Sequence, residues 1–158
     1  MNLSAKILST LLRSKSFKLA TAESCTGGMI SAAMTDLSGS SDVFDRGFVT
    51  YSNQAKINML GVLPKTLDLY GAVSEETVRE MAAGALKNSL ADISIAVTGI
   101  AGPTGGTEQK PVGLVYIGVA NKDRLYAFKH IFKGNRSEVR QQTVNSALQH
   151  LSDIILSL

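Results

Sequence analysis

The sequence predicts a protein of the α/β class, a single three-layer α/β/α domain with a mixed central sheet. Three observations support this prediction. The 158 residues are enough for one domain with a sizeable core. Hydrophobic residues make up 44% of the chain and charged residues 18%, which is a globular composition. Helical and strand patterns alternate along residues 1–158 with no repeat, linker or low-complexity stretch between them.

The predicted elements follow the order α-β-α-β-α-α-β-β-β-α. Helices are expected where apolar residues recur every three or four positions, and strands where short apolar runs rich in β-branched residues occur. The predicted helices cover residues 2–15, 29–37, 52–60, 74–90 and 135–158, and the predicted strands cover residues 17–22, 46–51, 92–98, 112–120 and 124–132. Residues 64–71 are predicted to form only a further helical turn.

Capping residues and strand composition refine this assignment. Ser74 is a predicted helix N-cap, and Asn135 followed three positions later by Glu138 predicts a capping box. The last two strands are separated by three polar residues and are predicted to form a hairpin. The strands around Ile95 and Val115 are apolar on both faces, so we expect them in the centre of the sheet.

Composition and charge exclude several classes of function. The net charge is only +3 and the basic residues are scattered, so no nucleic-acid groove is predicted. One cysteine and two histidines offer neither a disulfide framework nor enough ligands for a zinc cluster. No apolar run could span a membrane, and the N-terminal stretch has an amphipathic helical pattern unlike a signal peptide. We therefore expect a cytoplasmic protein that uses no metal or other cofactor and associates with neither membrane nor nucleic acid.

Two glycine-rich loops are the strongest candidates for a binding site. They are "AESCTGG" over residues 22–28 and "TGIAGPTGG" over residues 98–106, and each follows a predicted strand. If these strands are parallel, both loops leave the sheet at the edge where ligands of open α/β sheets gather. Their free N–H groups would suit a phosphate or a carboxylate. The glycine spacing matches neither a Walker phosphate loop nor a Rossmann turn.

Two stretches contain possible nucleophiles. In "SGSSDVFDRGFVTYSNQAK", Ser40 or Ser41 could be activated by Lys56, with Tyr51 relaying the proton or holding the lysine in place. An ordinary polar loop followed by a surface lysine explains the same residues. Cys25 competes for the role because a helix N-terminus favours a thiolate, although no histidine lies near it in the sequence. The residues by themselves leave this choice open.

Four stretches taken together resemble a known family. They are "TAESCTGG", "GSSDVFDRGFVTYSNQAK", "GAVSEETV" and "TGIAGPTGG" with the later "KPVG", and they resemble the C-terminal domain of the CinA family of competence-damage-inducible proteins over residues 4–156. The resemblance implies a single α/β/α domain, commonly dimeric, that hydrolyses nicotinamide mononucleotide to nicotinic acid mononucleotide and ammonia. It also implies a metal-free serine–tyrosine–lysine site, which Ser41, Tyr51 and Lys56 match here.

The expected partners are therefore a small nucleotide substrate and further copies of the chain. The predicted substrate-binding residues come from the two loops and the stretch between them: Glu23, Ser24, Thr26, Gly27, Arg46, Thr98, Gly99, Gly102 and Gly105. Two other functions stay open. One is a non-catalytic nucleotide-binding or regulatory module, and the other is a serine amidase or esterase that acts on another phosphorylated substrate, with a Cys25 hydrolase as its variant.

Overall fold

A five-stranded mixed sheet forms the centre of the computed structural model, which describes residues 1–158. Its strands are β1 (Leu19–Glu23), β2 (Phe44–Val49), β3 (Ile93–Gly99), β4 (Leu114–Asn121) and β5 (Leu125–Ile131). They lie in the order β2-β1-β3-β4-β5. β1 is parallel to both β2 and β3, whereas β4 is antiparallel to both β3 and β5. The predicted mixed sheet is confirmed, as is the terminal hairpin.

Helices cover both faces of this sheet, which confirms the predicted three layers. They are α1 (Leu3–Lys15), α2 (Met29–Thr35), α3 (Asn53–Leu60), α4 (Pro64–Tyr70), α5 (Glu75–Lys87) and α6 (Arg136–Leu156). Side chains of α1, α2 and α6 share one apolar layer with the sheet, and those of α3, α4 and α5 share the other. None of these helices combines the length and the apolar character that crossing a membrane requires.

The segment from Pro64 to Tyr70 is a full helix and not the single turn that the sequence predicted. Pro64 begins the helix, where a missing N–H costs nothing. A tertiary contact supports its start, because the Glu80 carboxylate of α5 accepts hydrogen bonds from the Leu63 N–H at 2.8 Å and the Thr66 hydroxyl at 2.6 Å. The capping carboxylate lies on another helix, so local sequence patterns gave no sign of it.

The two apolar layers differ in the size of their side chains. The face under α1, α2 and α6 presents large residues such as Ile95 and Ile117, whereas the face under α5 presents small ones such as Ala96. Small residues let α5 approach closely: a Cβ added to Gly84 would lie 1.9 Å from the Leu60 carbonyl oxygen, and one on Gly118 would lie 2.8 Å from the Val78 carbonyl oxygen. α5 therefore packs tightly against both α3 and β4.

Predicted caps fix the ends of two of these helices. The Ser74 hydroxyl accepts a hydrogen bond from the Thr77 N–H at the start of α5. Asn135 and Glu138 form the predicted capping box at the start of α6. These three hydrogen bonds satisfy N–H groups that have no partner within the helix. The capping-box bond also fixes the position of the α6 N-terminus, which contributes to the site described below.

His130 of β5 and His150 of α6 tie this long helix to the edge strand. Their Nε2 atoms are 2.8 Å apart, and their rings stack on Phe132 and Phe128, respectively. Partial burial lowers the pKa of both imidazoles below the ordinary 6.5. The proximity of His130 lowers the pKa of His150 further, and Asp153 opposes that effect. The hydrogen bond needs at least one neutral ring, because two imidazolium ions have only donors to offer.

We expect the folded protein to lose stability as the pH falls through the range of these two histidines. Their pKa values are lower in the folded than in the unfolded chain, so the neutral pair contributes stability above pH 6.5 that disappears as the pH drops towards the folded pKa. His150→Gln keeps hydrogen-bonding atoms but does not titrate. Between pH 7.5 and pH 5.5, the free energy of unfolding should fall by about 1 kcal/mol less in this variant than in the wild type. Urea unfolding at the two pH values measures it. Equal losses in the two proteins would contradict this.

Candidate active site

A buried lysine lies where the parallel strands end. Lys56 is in α3, and its side chain is only 1% exposed. Its Nζ atom is 3.0 Å from the Ser24 Oγ, 2.9 Å from the Thr50 carbonyl oxygen and 3.2 Å from the Tyr51 carbonyl oxygen. No carboxylate forms an ion pair with it. Burial without a counter-charge lowers the pKa of the Lys56 ammonium below the ordinary 10.5.

The three partners of Lys56 suit a neutral amine as well as an ammonium ion. The carbonyl oxygens of Thr50 and Tyr51 can only accept hydrogen bonds, whereas the Ser24 hydroxyl can accept or donate. An ammonium ion would donate to all three. A neutral amine would donate to the two carbonyls and accept the Ser24 proton on its lone pair. Loss of the lysine proton therefore costs no hydrogen bond, and it leaves a base aimed at the serine hydroxyl.

Ser24 begins the turn that joins β1 to α2. Its N–H continues the sheet by donating to the Val97 carbonyl oxygen at 3.1 Å, so the end of β3 positions its backbone. The next two residues, Cys25 and Thr26, have N–H groups that donate to no backbone carbonyl. A hydroxyl at a strand-to-helix turn followed by free N–H groups is the arrangement that acyl-transfer enzymes use to bind an oxyanion.

Ser24 and Lys56 line a small cavity of about 190 Å³. This is less than the roughly 300–1,000 Å³ of sites that enclose drug-sized ligands, so it suits a single ring and not a whole nucleotide. A second cavity of about 560 Å³ shares Ala101 and Arg136 with the first. The smaller cavity is lined by Ser24, Cys25, Tyr51, Lys56, Ala72, Val73, Thr98, Gly99, Ala101 and Arg136.

Tyr51 lies at the mouth of this cavity, where its side chain is 63% exposed. Its hydroxyl oxygen is 3.3 Å from Arg136 Nη2, and the same guanidinium donates through Nη1 to the Gly102 carbonyl oxygen at 2.9 Å. Tyr51 contacts Lys56 through its carbonyl and not through its hydroxyl. The predicted proton relay through the phenol is therefore absent from this arrangement, although Tyr51 and Lys56 do line one cavity.

The structure corrects the predicted pairing of Ser41 with Lys56. Ser40 and Ser41 lie in a short 3₁₀ turn that precedes β2, whereas the carbonyl partners of Lys56 follow β2. A strand of six residues spans about 20 Å, so β2 separates the two ends. Ser41 is also exposed. Ser24, which was predicted only to bind substrate, takes its place beside the lysine.

Two further predicted binding residues, Thr98 and Gly99, line the cavity together with Ser24. Glu23 and Thr26 do not, because both are fully buried and the Thr26 hydroxyl donates to the Glu23 carboxylate at 2.6 Å. The structure therefore contradicts substrate binding by the Glu23 and Thr26 side chains. The polar groups of both side chains are hydrogen-bonded inside the fold, so neither side chain can reach a ligand.

Substrate binding by Arg46 and the remaining glycines stays a prediction, because none of them lines the smaller cavity. Arg46 lies near the start of β2, where it pairs with Asp45 at 2.7 Å and donates to the Asn88 carbonyl oxygen. Gly27, Gly102 and Gly105 have φ angles of 56°, 81° and 90°, a conformation that side chains disfavour, and none of them lines the smaller cavity. These glycines shape the loops. Only Gly102 contacts a residue of the site, because its carbonyl oxygen accepts a hydrogen bond from Arg136.

Cys25 lies beside Ser24 and lines the same cavity. Burial raises the pKa of its thiol to about 11, so the thiol is neutral at physiological pH. A neutral thiol is a poor nucleophile, which leaves the Ser24 hydroxyl as the better candidate. No three His, Cys, Asp or Glu side chains gather in an arrangement that could hold a metal ion.

The chain is similar to known proteins over nearly its whole length. A family model described as the CinA C-terminal domain matches residues 2–155. Over 139 residues, the chain is 53% identical to a protein of Enterobacter agglomerans named nicotinamide-nucleotide amidohydrolase PncC, a match covering 87% of this chain and 85% of that protein. It is also 53% identical over 147 residues to a CinA-like protein of Endomicrobium trichonymphae, covering 93% of this chain and 34% of that protein. Against a relative from Caldicellulosiruptor saccharolyticus, this chain spans 37% of the relative's length.

Solved structures show the same fold. The crystal structure of the competence/damage inducible protein CihA from Agrobacterium tumefaciens matches with a TM-score of 0.92 at 46% identity, covering 94% of this chain and 91% of that one. A CinA superfamily protein from Klebsiella pneumoniae matches with a TM-score of 0.94 at 34% identity, covering 99% of this chain and 100% of that one. Because the family model and these structures match almost every element described above, the chain belongs to the CinA C-terminal domain family.

Proposed function

We propose that this protein is an amidohydrolase that converts nicotinamide mononucleotide to nicotinic acid mononucleotide and ammonia. The observation that carries the proposal is the 3.0 Å contact between Ser24 Oγ and the buried Lys56 Nζ, at the wall of a cavity sized for one ring. The name of the Enterobacter agglomerans relative supports the substrate. A serine with a lysine base is a known solution for amide hydrolysis, because a buried lysine can be neutral near physiological pH.

In the first half of the reaction, Ser24 Oγ attacks the carboxamide carbon and its proton passes to Lys56 Nζ. The carbonyl oxygen becomes an oxyanion, which the free N–H group of Cys25 stabilises. One such donor typically lowers the barrier by about 3 kcal/mol. Lys56 then returns the proton to the leaving nitrogen, ammonia departs, and an ester remains on Ser24.

In the second half, water attacks the ester carbon while Lys56 accepts one of its protons. The second tetrahedral intermediate collapses, the carbon–oxygen bond to Ser24 breaks, and the proton on Lys56 returns to Ser24 Oγ. The products are a carboxylic acid and the regenerated hydroxyl. The lysine is neutral at the start of both halves, so the same depressed pKa serves both steps.

The ribose phosphate of the substrate must extend out of the small cavity, and Arg136 indicates the direction. Its guanidinium borders both the 190 Å³ and the 560 Å³ cavities and can hold a phosphate through paired hydrogen bonds. The opposite direction leads past Val73 to a groove lined by two carboxylates and two ammonium groups, those of Glu75, Glu76, Lys110 and Lys129, so its charges balance. Association of the chain with further copies and a cytoplasmic location stay predictions.

An assay of ammonia release by the purified protein tests the function. We expect turnover of nicotinamide mononucleotide with a kcat of about 1–10³ s⁻¹. Nicotinamide riboside lacks the phosphate and should react at least about 10-fold less efficiently, because it loses one charge-assisted contact. Absence of ammonia with the mononucleotide would contradict the proposal. A trapped acyl-enzyme with another amide, in that case, would favour a serine amidase of different specificity.

A further inference from the structure

Glu23 is a buried carboxylate with no cation beside it. It is the last residue of β1, its side chain is 0% exposed, and it forms no salt bridge. Its Oε1 accepts hydrogen bonds from the Thr26 hydroxyl at 2.6 Å and the Ile30 N–H at 2.8 Å. Its Oε2 accepts from the Ser31 hydroxyl at 2.9 Å and the Ser31 N–H at 3.0 Å. Four donors therefore satisfy a group that would otherwise be very costly to bury.

The same carboxylate encloses the turn that carries Ser24. Glu23 and Ser24 are neighbours whose side chains point to opposite faces of the sheet: that of Glu23 contacts α2, and that of Ser24 contacts Lys56 of α3. The Thr26 hydroxyl donates a hydrogen bond to the Glu23 carboxylate, and this bond closes the turn that contains Ser24 and Cys25. The Glu23 side chain is thus bonded across the turn that contains Ser24.

Arg140 of α6 holds the other side of this turn. Its Nε donates to the Cys25 carbonyl oxygen at 3.0 Å, and its Nη2 donates to the Thr26 carbonyl oxygen at 3.3 Å. In a trans peptide the N–H points away from the C=O of the same unit, so the Thr26 N–H is directed away from Arg140. The turn is therefore fixed by an anion on the α2 side and a cation on the α6 side.

We propose that Glu23 is a positioning residue for the Ser24 nucleophile, a role that rests on the proposed function. Its carboxylate closes the Glu23–Thr26 turn and keeps Ser24 Oγ within reach of both Lys56 Nζ and the substrate carbon. Glu23 itself touches no substrate, because it is fully buried and does not line the cavity. Small displacements of a reacting group slow the reaction strongly: a shift of about 1 Å can lower the rate about 10²-fold.

Glutamine cannot replace this carboxylate. Whichever way its amide is oriented, its NH₂ group faces either the Ile30 N–H or the Ser31 N–H, and neither can accept a hydrogen bond. We expect Glu23→Gln to lower kcat about 10- to 100-fold with KM within about threefold of the wild-type value. The pH at which kcat/KM is half-maximal should not move, because Lys56 and its partners are unchanged.

Glu80→Gln is the matched control. Glu80 is also a carboxylate without a salt bridge, and it caps α4 through the Leu63 N–H and the Thr66 hydroxyl, away from the cavity. Glu80→Gln should lower the melting temperature but leave kcat within about twofold of the wild-type value, since Glu80 supports a different helix. If Glu23→Gln loses stability as Glu80→Gln does but keeps its kcat, Glu23 is only structural and the proposal is overturned.

Labelling of Ser24 by a fluorophosphonate, followed by mass spectrometry, separates this proposal from the proposed function. We expect labelling of Glu23→Gln to be about 10-fold slower than that of wild type and of Glu80→Gln. If the wild type is labelled but releases no ammonia, only the proposed substrate is contradicted. The labelling rates of the variants then decide the role of Glu23. Equal rates overturn the positioning role. A wild type that shows neither reaction overturns both proposals.

Thr26 provides a second test if Glu23→Gln does not fold. Thr26→Val removes one of the four hydrogen bonds to Glu23, and Thr26→Ser keeps it. We expect Thr26→Val to lower kcat about three- to tenfold and Thr26→Ser to restore it, since the loss of one hydrogen bond is worth about 1 kcal/mol. Equal kcat values in the two variants would overturn the positioning role.

Discussion

Ser24→Ala should abolish ammonia release from nicotinamide mononucleotide, whereas Ser41→Ala should leave kcat within about twofold of wild type. Removing the hydroxyl removes the proposed nucleophile, and loss of a nucleophile lowers kcat by about 10³- to 10⁶-fold in serine hydrolases. Ser41 is exposed and lies at the opposite end of β2 from the Lys56 contacts. Steady-state ammonia assays on the two variants measure the difference.

Folding must be compared in the same two variants. Ser24→Ala deletes one hydrogen bond to Lys56 and leaves the two carbonyl partners, so the free energy of unfolding should change by about 1 kcal/mol or less. If the melting temperature of Ser24→Ala is close to that of wild type, the lost activity results from the missing hydroxyl and not from unfolding. The opposite pattern, with activity retained in Ser24→Ala and lost in Ser41→Ala, would refute the assignment of the nucleophile.

Lys56→Met should be nearly as inactive as Ser24→Ala, with kcat at least about 10³-fold below wild type, because the serine loses its base. Methionine keeps most of the length of the side chain but carries no amine. Lys56→Arg should be equally inactive, since a guanidinium stays protonated at any accessible pH. Lys65→Met is the matched control, because Lys65 is exposed on α4 and should change kcat by less than about twofold.

The pH profile of the wild type gives an independent sign of the lysine base. The neutral amine is the active form, so kcat/KM should rise with pH and level off above the pKa of Lys56. Because burial lowers that pKa below 10.5, the plateau should begin at a lower pH than an ordinary lysine would give. A profile that is flat across this range, or that falls as the pH rises, would contradict a lysine base.

Much of the fold could be predicted because its signals are local. The N-cap at Ser74 and the capping box at Asn135 depend on residues three positions apart, and both are present as predicted. The apolar run around Ile95 predicted a central strand, and β3 is the middle strand of the sheet. Only one helical turn was predicted for α4, because the carboxylate that caps its start belongs to Glu80, which lies 14 and 17 residues beyond its hydrogen-bond donors.

The candidate site could be predicted only in part. The sequence indicated Lys56 and both glycine-rich loops, and the parallel pairing of β1 with β3 brings those loops to one edge of the sheet. Local spacing favoured Ser41 because it lies in the same stretch as Lys56, whereas the lysine contacts a serine 32 residues away. A signal for Ser24 was present, since "AESCTGG" places a hydroxyl at a strand-to-helix turn, but that signal does not identify which base the hydroxyl meets.

The sequence by itself determined the class of the domain, the caps of its helices and the set of residues able to react. These properties follow from patterns within a few neighbouring positions. Only the tertiary structure decided that Ser24 meets Lys56, that Glu23 faces away from the cavity, and that Arg140 holds the turn. Ser24 meets Lys56 across 32 residues and Cys25 meets Arg140 across 115, whereas Glu23 bonds to the nearby α2 on the other face of the sheet. Strand order and the alternation of side chains across the sheet set them, and neither is visible in a local stretch.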